Sequence, residues 1–329
     1  MTPYEFPYEI VRMCAEGPYP GGDLAVVPDA AGLDAATMAT VAAGLGTTET
    51  VFVRPAGAPG EDYRVRVFQP TGETPFGSHS AIGTAATLVR LGIVPAGPVT
   101  QGCGAARQTL TADAAGAALL GRDPLPGTGL DPGPLLAAAG LTRADTPADP
   151  AGDAPTATGF GAPFPLLPVR GSALARARPD PARMAAEGLK ALCLVATDPA
   201  PAADPADSPN SPGTSGTTVV SRTADRAGRS DGSVTVRARL FAPGFGIPDD
   251  PACAPVALAL GRWLAATGRL PAGDGVHRYT VRLGAGTPRT GRLECAVTVV
   301  GGRPVHASAA GDVTPVTRGT VAVPPPPAD

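Results

Sequence analysis

The chain states one pattern twice. Residues 64–90 read RVRVFQPTGETPFGSHSAIGTAATLVR, and residues 236–264 read VRARLFAPGFGIPDDPACAPVALALGRWL. At a constant offset Arg239 falls on Arg66, Phe241 on Phe68 and Pro243 on Pro70. Each stretch runs from an alternating strand, through a Pro/Gly turn, into a helix that is apolar on nearly every side. Such a helix has no face to show to water, so the strands around it must enclose it. The repeat therefore predicts an α+β chain of two pseudo-symmetric halves, each a sheet curled around one buried helix.

The rest of the sequence can be laid out around these two anchors. YEIVRM, DLAVVPD, ETVFVRP and YRVRVFQ read as strands, with an Ala-rich helix from about Asp34 to Leu45, and the first apolar helix covers about 79–91. AARQTLTAD and AGAALLG form a further hairpin. Residues 121–157 are rich in Pro, Gly and Asp, with LLAAAGL as the one helical fragment, which puts a boundary near residue 122. The expected organisation is 1–122 as a first domain and 123–307 as a second, with 308–329 returning to the first. In the second, FPLLPVR, ALCLVATD, HRYTVRL, RLECAVTVVG and PVHASAAG are strands, a helix lies near 181–190, and the second apolar helix covers about 252–267. Residues 199–216, PAPAADPADSPNSPGTSG, cannot bury a core and read as a surface loop.

Composition excludes several classes of function. With 26 basic against 29 acidic residues and no basic run, the chain offers no footprint for nucleic acid or an anionic membrane. Cys14, Cys103, Cys193, Cys253 and Cys295 are odd in number, scattered and without a CxxC pair, so neither a disulfide framework nor a structural zinc site is indicated. His277 and His306 lack ligand spacing, and no metal triad can be assembled. The N-terminus reads as no signal peptide and no stretch is long enough to span a bilayer, so a cytoplasmic location is expected.

If the halves face each other, the starts of the two apolar helices put Ser78-His79 and Asp250-Pro251 on opposite walls of one cleft. Helix N-termini carry unpaired amides and favour anions, so the cleft suits a small carboxylate. TTETVFV around Glu49, YRVRVFQPTGETPFGSHSAIGTAATL and VRARLFAPGFGIPDDPACA around Asp250 resemble the PhzF-like phenazine-biosynthesis family, whose fold is that of diaminopimelate epimerase. The resemblance implies two barrel-like mixed sheets, each around a central helix, usually in a homodimer, and no cofactor or metal. It implies an acid/base role for Glu49, assisted by His79 and Asp250, in moving a proton between carbons. The family's best-known reaction isomerises a dihydro-hydroxyanthranilate. Gly77, Ser78, Ser80 and Cys253 fall at the substrate-binding helix starts, and Asp23, in GGDLAVV, falls where the family has Gly-Asn-Pro.

The departures from the family pattern bear on the substrate. Ser78-His79-Ser80-Ala81 stands where the family reads Gly-His-Pro-Thr, and Asp250-Pro251-Ala252-Cys253-Ala254-Pro255-Val256 where it reads Asp-Pro-Ala-Thr-Gly-Ser-Ala. Pro255 removes one amide and Ala254 replaces a glycine, which moves the expected carboxylate site to the backbone and hydroxyls of Ser78 and Ser80.

Each candidate also has a plainer reading. Glu49 reads also as a strand-start carboxylate, His79 as a helix-start residue bonded to local backbone, and Asp250 as a helix cap before a proline, a role it can combine with the functional one; Asp249 beside it is the weaker candidate. For Glu49 to act as a base it must be desolvated, and Phe52 and Phe76 are available as apolar walls. Cys253 is near the thiol position of the epimerase relatives, but its partner position is Gly77, which argues against two-thiol racemisation. It remains either a small buried hydrophobe or a thiol made nucleophilic by the helix start. The expected function is a cofactor-independent isomerase of a small carboxylated metabolite in secondary metabolism, such as antibiotic biosynthesis. A cyclase or lyase built on the same cleft and a non-catalytic binding protein are the alternatives.

Overall fold

The computed structural model describes residues 4–17, 21–75, 80–147, 153–197 and 234–323. The first half contains β1 (Tyr4–Met13), β2 (Gly22–Val27), α1 (Ala35–Leu45), β3 (Glu49–Arg54), β4 (Tyr63–Gln69), β5 (Gly72–Thr74), α2 (Ser80–Arg90), β6 (Gly97–Cys103), β7 (Ala106–Asp113) and β8 (Gly116–Gly121). There follow β9 (Pro124–Gly129), α3 (Pro132–Ala138), β10 (Thr156–Phe160), β11 (Ala162–Val169), α4 (Gly171–Arg176), α5 (Pro181–Ala186) and β12 (Leu192–Ala196). The chain ends with β13 (Val234–Phe241), α6 (Ala254–Ala266), β14 (Gly275–Leu283), β15 (Gly291–Val300) and β16 (Arg303–Val323).

One long strand organises the whole sheet. PVHASAAG and RGTVAV, read separately from the sequence, are both parts of the 21-residue β16. No Gly-Pro pair or turn cluster interrupts the stretch, and the sheet on either side supplies partners along its length. β16 pairs with β15, with β8 and, from Val313 to Val323, with β1. Its bond to β1 closes β1-β2-β3-β4-β6-β7-β8-β16 into an eight-stranded barrel, while β15-β14-β13-β12-β11-β10-β9 continues outward from the same strand.

α2 runs inside the barrel, buried from Ser80 through Leu88, and α6 packs in the second half against β10, β11, β15 and β16. Ala81, Ile82, Ala85 and Leu88 on the first helix and Val256, Leu260, Trp263 and Leu264 on the second belong to one continuous core. This enclosure is what the all-round apolar patterns require. Outside the barrel, α1 places Met38 and Val41 over Phe52 and Phe68, which meet edge to face at 5.5 Å. On the second sheet α3, α4 and α5 cover the same layer with Leu136, Leu174 and Met184 over Leu192 and Phe241.

The repeated stretch is repeated in register as well. Phe68 lies opposite Thr50 and Phe241 opposite Leu192; β4 is antiparallel to β3 and parallel to β6, and β13 is antiparallel to β12 and parallel to β14. Arg66 grips Glu73 through two bonds (2.7 and 2.6 Å) and Arg239 grips Asp249 the same way (2.7 and 2.8 Å). Each guanidinium also lies over the phenylalanine two residues on. The two turns then meet. Gly246, with φ of 72°, lies so close to Pro70 that a Cβ there would come within 2.8 Å of the proline ring.

Candidate active site

Glu49 opens β3 on the inward face, together with Val51 and Val53. Its carboxylate is 1% exposed, so the solvated strand-start reading does not hold. The register that sets Thr50 opposite Phe68 places Gln69 across from Glu49, and Gln69 Nε2 donates to Glu49 Oε1 at 2.6 Å. Gln69 escaped the sequence reading; its signal was cross-strand register, legible only once the β3–β4 pairing is fixed. Phe52 is not a wall of this site. An odd step along a strand reverses the face, so Phe52 packs outward under α1. Phe76, Gly77, Ser78 and His79 lie outside the described residues.

On the opposite side, Asp250 is buried, but it does not cap α6. Its Oδ1 accepts from the Ala252 amide at 2.9 Å in a tight turn, and its own amide donates to Leu240 O. The helix begins four residues later, with Cys253 at the N-cap and Pro255 in the first turn. A first-turn proline needs no amide partner, so the start falls where Pro255, rather than Pro251, occupies that turn. Asp249 is held by Arg239, whose Nη1 also donates to the carbonyls of Leu174 and Ala177 at 2.9 Å.

Cys253 joins the two walls. Its buried thiol is held well above the usual thiol range, first by burial and then by the charge of Asp250, with a smaller contribution from Glu49; the Val256 amide opposes this. The structure thus brings Glu49, at the start of β3, into one neighbourhood with Asp250 and Cys253, both from the connection between β13 and α6. Burial opposes the helix-start effect that the nucleophile reading of Cys253 invokes. Asp23 lies on the seam as well. Arg12 donates to its Oδ1 at 3.0 Å, and Arg289, from the second half, reaches its Oδ2 at 3.1 Å and the Gly21 carbonyl at 3.0 Å. Beside it the Asp250–Ala252 turn presses on Gly22, where a Cβ would meet that of Ala252 at 2.7 Å.

The pseudo-symmetry breaks at the carboxylate. Since Thr50 corresponds to Leu192 by register, Glu49 corresponds to Ala191. Ser80, the first residue of α2, is fully buried, and its Oγ has no partner among the described residues. Also among the described residues, no group of three His, Cys, Asp or Glu side chains could hold a metal ion, and no helix is long and apolar enough to cross a membrane.

A sequence model of the PhzC/PhzF family, described as phenazine biosynthesis-like protein, matches residues 11–120 and 174–319, well over half of the chain. The chain belongs to this family. The PhzF-family chain is 42% identical over 71 residues to an uncharacterized isomerase of Mesorhizobium japonicum, a match that spans 22% of this chain and 24% of that protein. In structure it is similar to the PhzF-family phenazine biosynthesis protein of Bacillus anthracis, with a TM-score of 0.74 at 18% identity, covering 97% of this chain and 99% of that one. It is also similar to a hydroxyproline epimerase of Agrobacterium vitis, with a TM-score of 0.58 at 15% identity over 98% and 94% of the two chains. The PhzF-family chain therefore has the diaminopimelate epimerase-like fold.

Proposed function

We propose that this protein is an isomerase that moves a proton between carbons of a small, conjugated, carboxylated metabolite, with Glu49 as the acid/base. The observation that carries this reading is the inward carboxylate of Glu49, buried in the barrel in the neighbourhood of Asp250 and Cys253. Glu49 removes a proton from one carbon, the C–H electron pair moves through the adjacent double bonds, and the same carboxyl returns a proton further along. The carboxylate is regenerated and nothing is oxidised, so the reaction needs no cofactor. A carboxylate out of water is suited to this step, because burial moves its basicity towards the working pH. Gln69 fixes its orientation by donating to Oε1. Asp250 and His79 assist it.

The substrate carboxylate sits on the first wall, at Ser78 and Ser80. The uncommitted hydroxyl of Ser80 supports this, and Pro255 leaves the start of α6 one donor short. The protein works in secondary metabolism, in the cytoplasm and as a homodimer. Incubation of candidate dihydroaromatic acids in deuterated water tests the reading. Deuterium at a new carbon with mass otherwise unchanged supports it, loss of a fragment or a new ring assigns the cleft to a lyase or cyclase, and tight binding without turnover leaves a binding protein.

A further inference from the structure

The helices leave one stretch of the sheet bare. α2 and α6 reach β7, β8, β15 and β16 from inside, where Leu110, Leu119, Cys295 and Ala309 face the core. On the outer side α1 covers Phe52 and Phe68 in the first half, and α3, α4 and α5 cover Leu192 and Phe241 in the second. Among the described residues no helix lies over the outer face of β7-β8-β16-β15-β14, where the sheet passes from one half to the other.

Register orders the side chains on this face. Thr109, Leu120 and Ser308 form one cross-strand row, and Thr111, Ala118 and Ala310 form the next. Two residues beyond the second row lie acids, Asp113 on β7 and Asp312 on β16, both opposite Gly116. Two residues beyond the first row lie bases, Arg107 on β7 and His306 on β16, with Arg122 just past the end of β8. Arg107 is 53% exposed and keeps a 3.8 Å contact with Glu61. On each strand the acid and the base are about 20 Å apart, with only uncharged side chains on the face between them.

A face that is basic at one end, acidic at the other and neutral between is complementary to itself turned end for end. A two-fold axis across the strands, level with Leu110, Leu119 and Ala309, brings the two neutral rows together. It also sets Arg107 against Asp113 of the second copy, and His306, with Arg122 beside it, against Asp312 of the second copy. On the flank, Glu294 comes against Ala296 of the second copy, which is paired with Arg278 on β14. Charges at the rim around an uncharged middle are the usual anatomy of a protein interface, and two sheets stack face to face about 10 Å apart. Five strands about 4.8 Å apart and about 20 Å long give a footprint, over both copies, of about 1,000 Å², the size at which an interface becomes specific.

We propose that the outer face of β7-β8-β16-β15-β14 is an isologous interface with a second copy of this chain, docked with its strands antiparallel. The proposal rests on the homodimer reading above and adds where the copies meet. Glu49 lies on the inner side of the sheet, so this docking leaves its cleft clear. Sedimentation of the full chain tests it. The native protein should run as a dimer at about 10 µM. Ala310→Glu puts a charge into the neutral middle of both copies and should raise the dimer dissociation constant at least about a hundredfold. Asp312→Lys sets a lysine against His306 and Arg122 of the second copy and should raise it at least about tenfold. Adding His306→Asp restores opposite charges and should bring the constant back to within about threefold of the native value. Circular dichroism establishes that each variant is folded. If Ala310→Glu does not fold, Asp312→Lys and its rescue decide. A native dimer that the folded variants leave intact, or a loss at Asp312→Lys that His306→Asp does not reverse, would overturn this interface and leave the homodimer standing. A native chain that stays monomeric up to about 100 µM would remove both. Neither result touches the isomerase reading, which the deuterium experiment tests by itself.

Discussion

At the scale of single residues, Glu49 and Gln69 carry two separable predictions. Glu49→Gln keeps the size and the inward position but removes the group that accepts a proton. Deuterium incorporation from solvent should then fall by about 10²- to 10⁴-fold, the range spanned by general acid–base catalysis, while the thermal midpoint stays close to that of the native protein. Full retention of exchange would remove Glu49 from the mechanism. Gln69→Leu acts through Glu49, because it deletes the 2.6 Å bond to a carboxylate with almost no access to water. Urea unfolding should register a loss of about 1–3 kcal/mol, the penalty for depriving a buried charged acceptor of its donor. No loss would mean that water or another partner of Glu49 takes the place of the amide. A third test concerns the rebuilt start of α6. Ala254→Gly with Pro255→Ser restores one amide and one hydroxyl, and calorimetry should find the set of bound acids changed more than the stability.

At the scale of elements, the duplicated Arg-x-Phe turn lets one motif be compared with itself at two depths. The Arg239 side chain is 7% exposed and ties Asp249 to two carbonyls, whereas Arg66 and Glu73 are 24% and 41% exposed. Arg239→Met should therefore cost about 3 kcal/mol, at the low end for a broken buried pair because Asp249 keeps some water, and Arg66→Met under about 1 kcal/mol. Equal urea midpoints for the two variants would show that burial does not set the difference. The comparison also marks what could be read from sequence. The repeat, the enclosed helices and strands β1–β4 were legible because apolar patterning and turn residues are local signals. β9, β10 and α4 were not, because Pro and Gly dominate residues 121–157 and a six-residue helix such as Gly171–Arg176 is held by packing rather than propensity. Of the candidate site, Glu49 and Asp250 could be singled out because a motif carries them. Gln69 across the strand and Arg289 across the seam could not, because three-dimensional neighbours decide them.

At the scale of the whole molecule, the distribution of buried weak acids predicts how the fold fails at high pH. Tyr63 in the first half and Cys193, Cys253, Tyr279 and Cys295 in the second are all pushed upward, in each case first by burial. Neighbouring acids add to this, Asp62 for Tyr63, Asp250 for Cys253 and Glu294 for Cys295. In the folded state these groups hold their protons above the pH at which the unfolded chain releases them, so the unfolded state is the one that gains from rising pH. Their contribution to stability is complete below about pH 8, and it declines as pH passes the ordinary thiol value near 8.5 and then the phenol value near 10. Each group can remove up to about 1.4 kcal/mol per pH unit above its unfolded value. Urea unfolding followed from about pH 7 to pH 10.5 should accordingly give a plateau and then a fall that steepens. Cys193→Ala with Cys295→Ala should make the first part of the fall shallower, because two of the three identified thiols no longer ionise on unfolding. In the native state near neutral pH, the five buried cysteines should react with a thiol reagent only as fast as the protein opens. A rapidly labelled thiol, or stability that holds level through pH 10 or so, would contradict the burial of these groups.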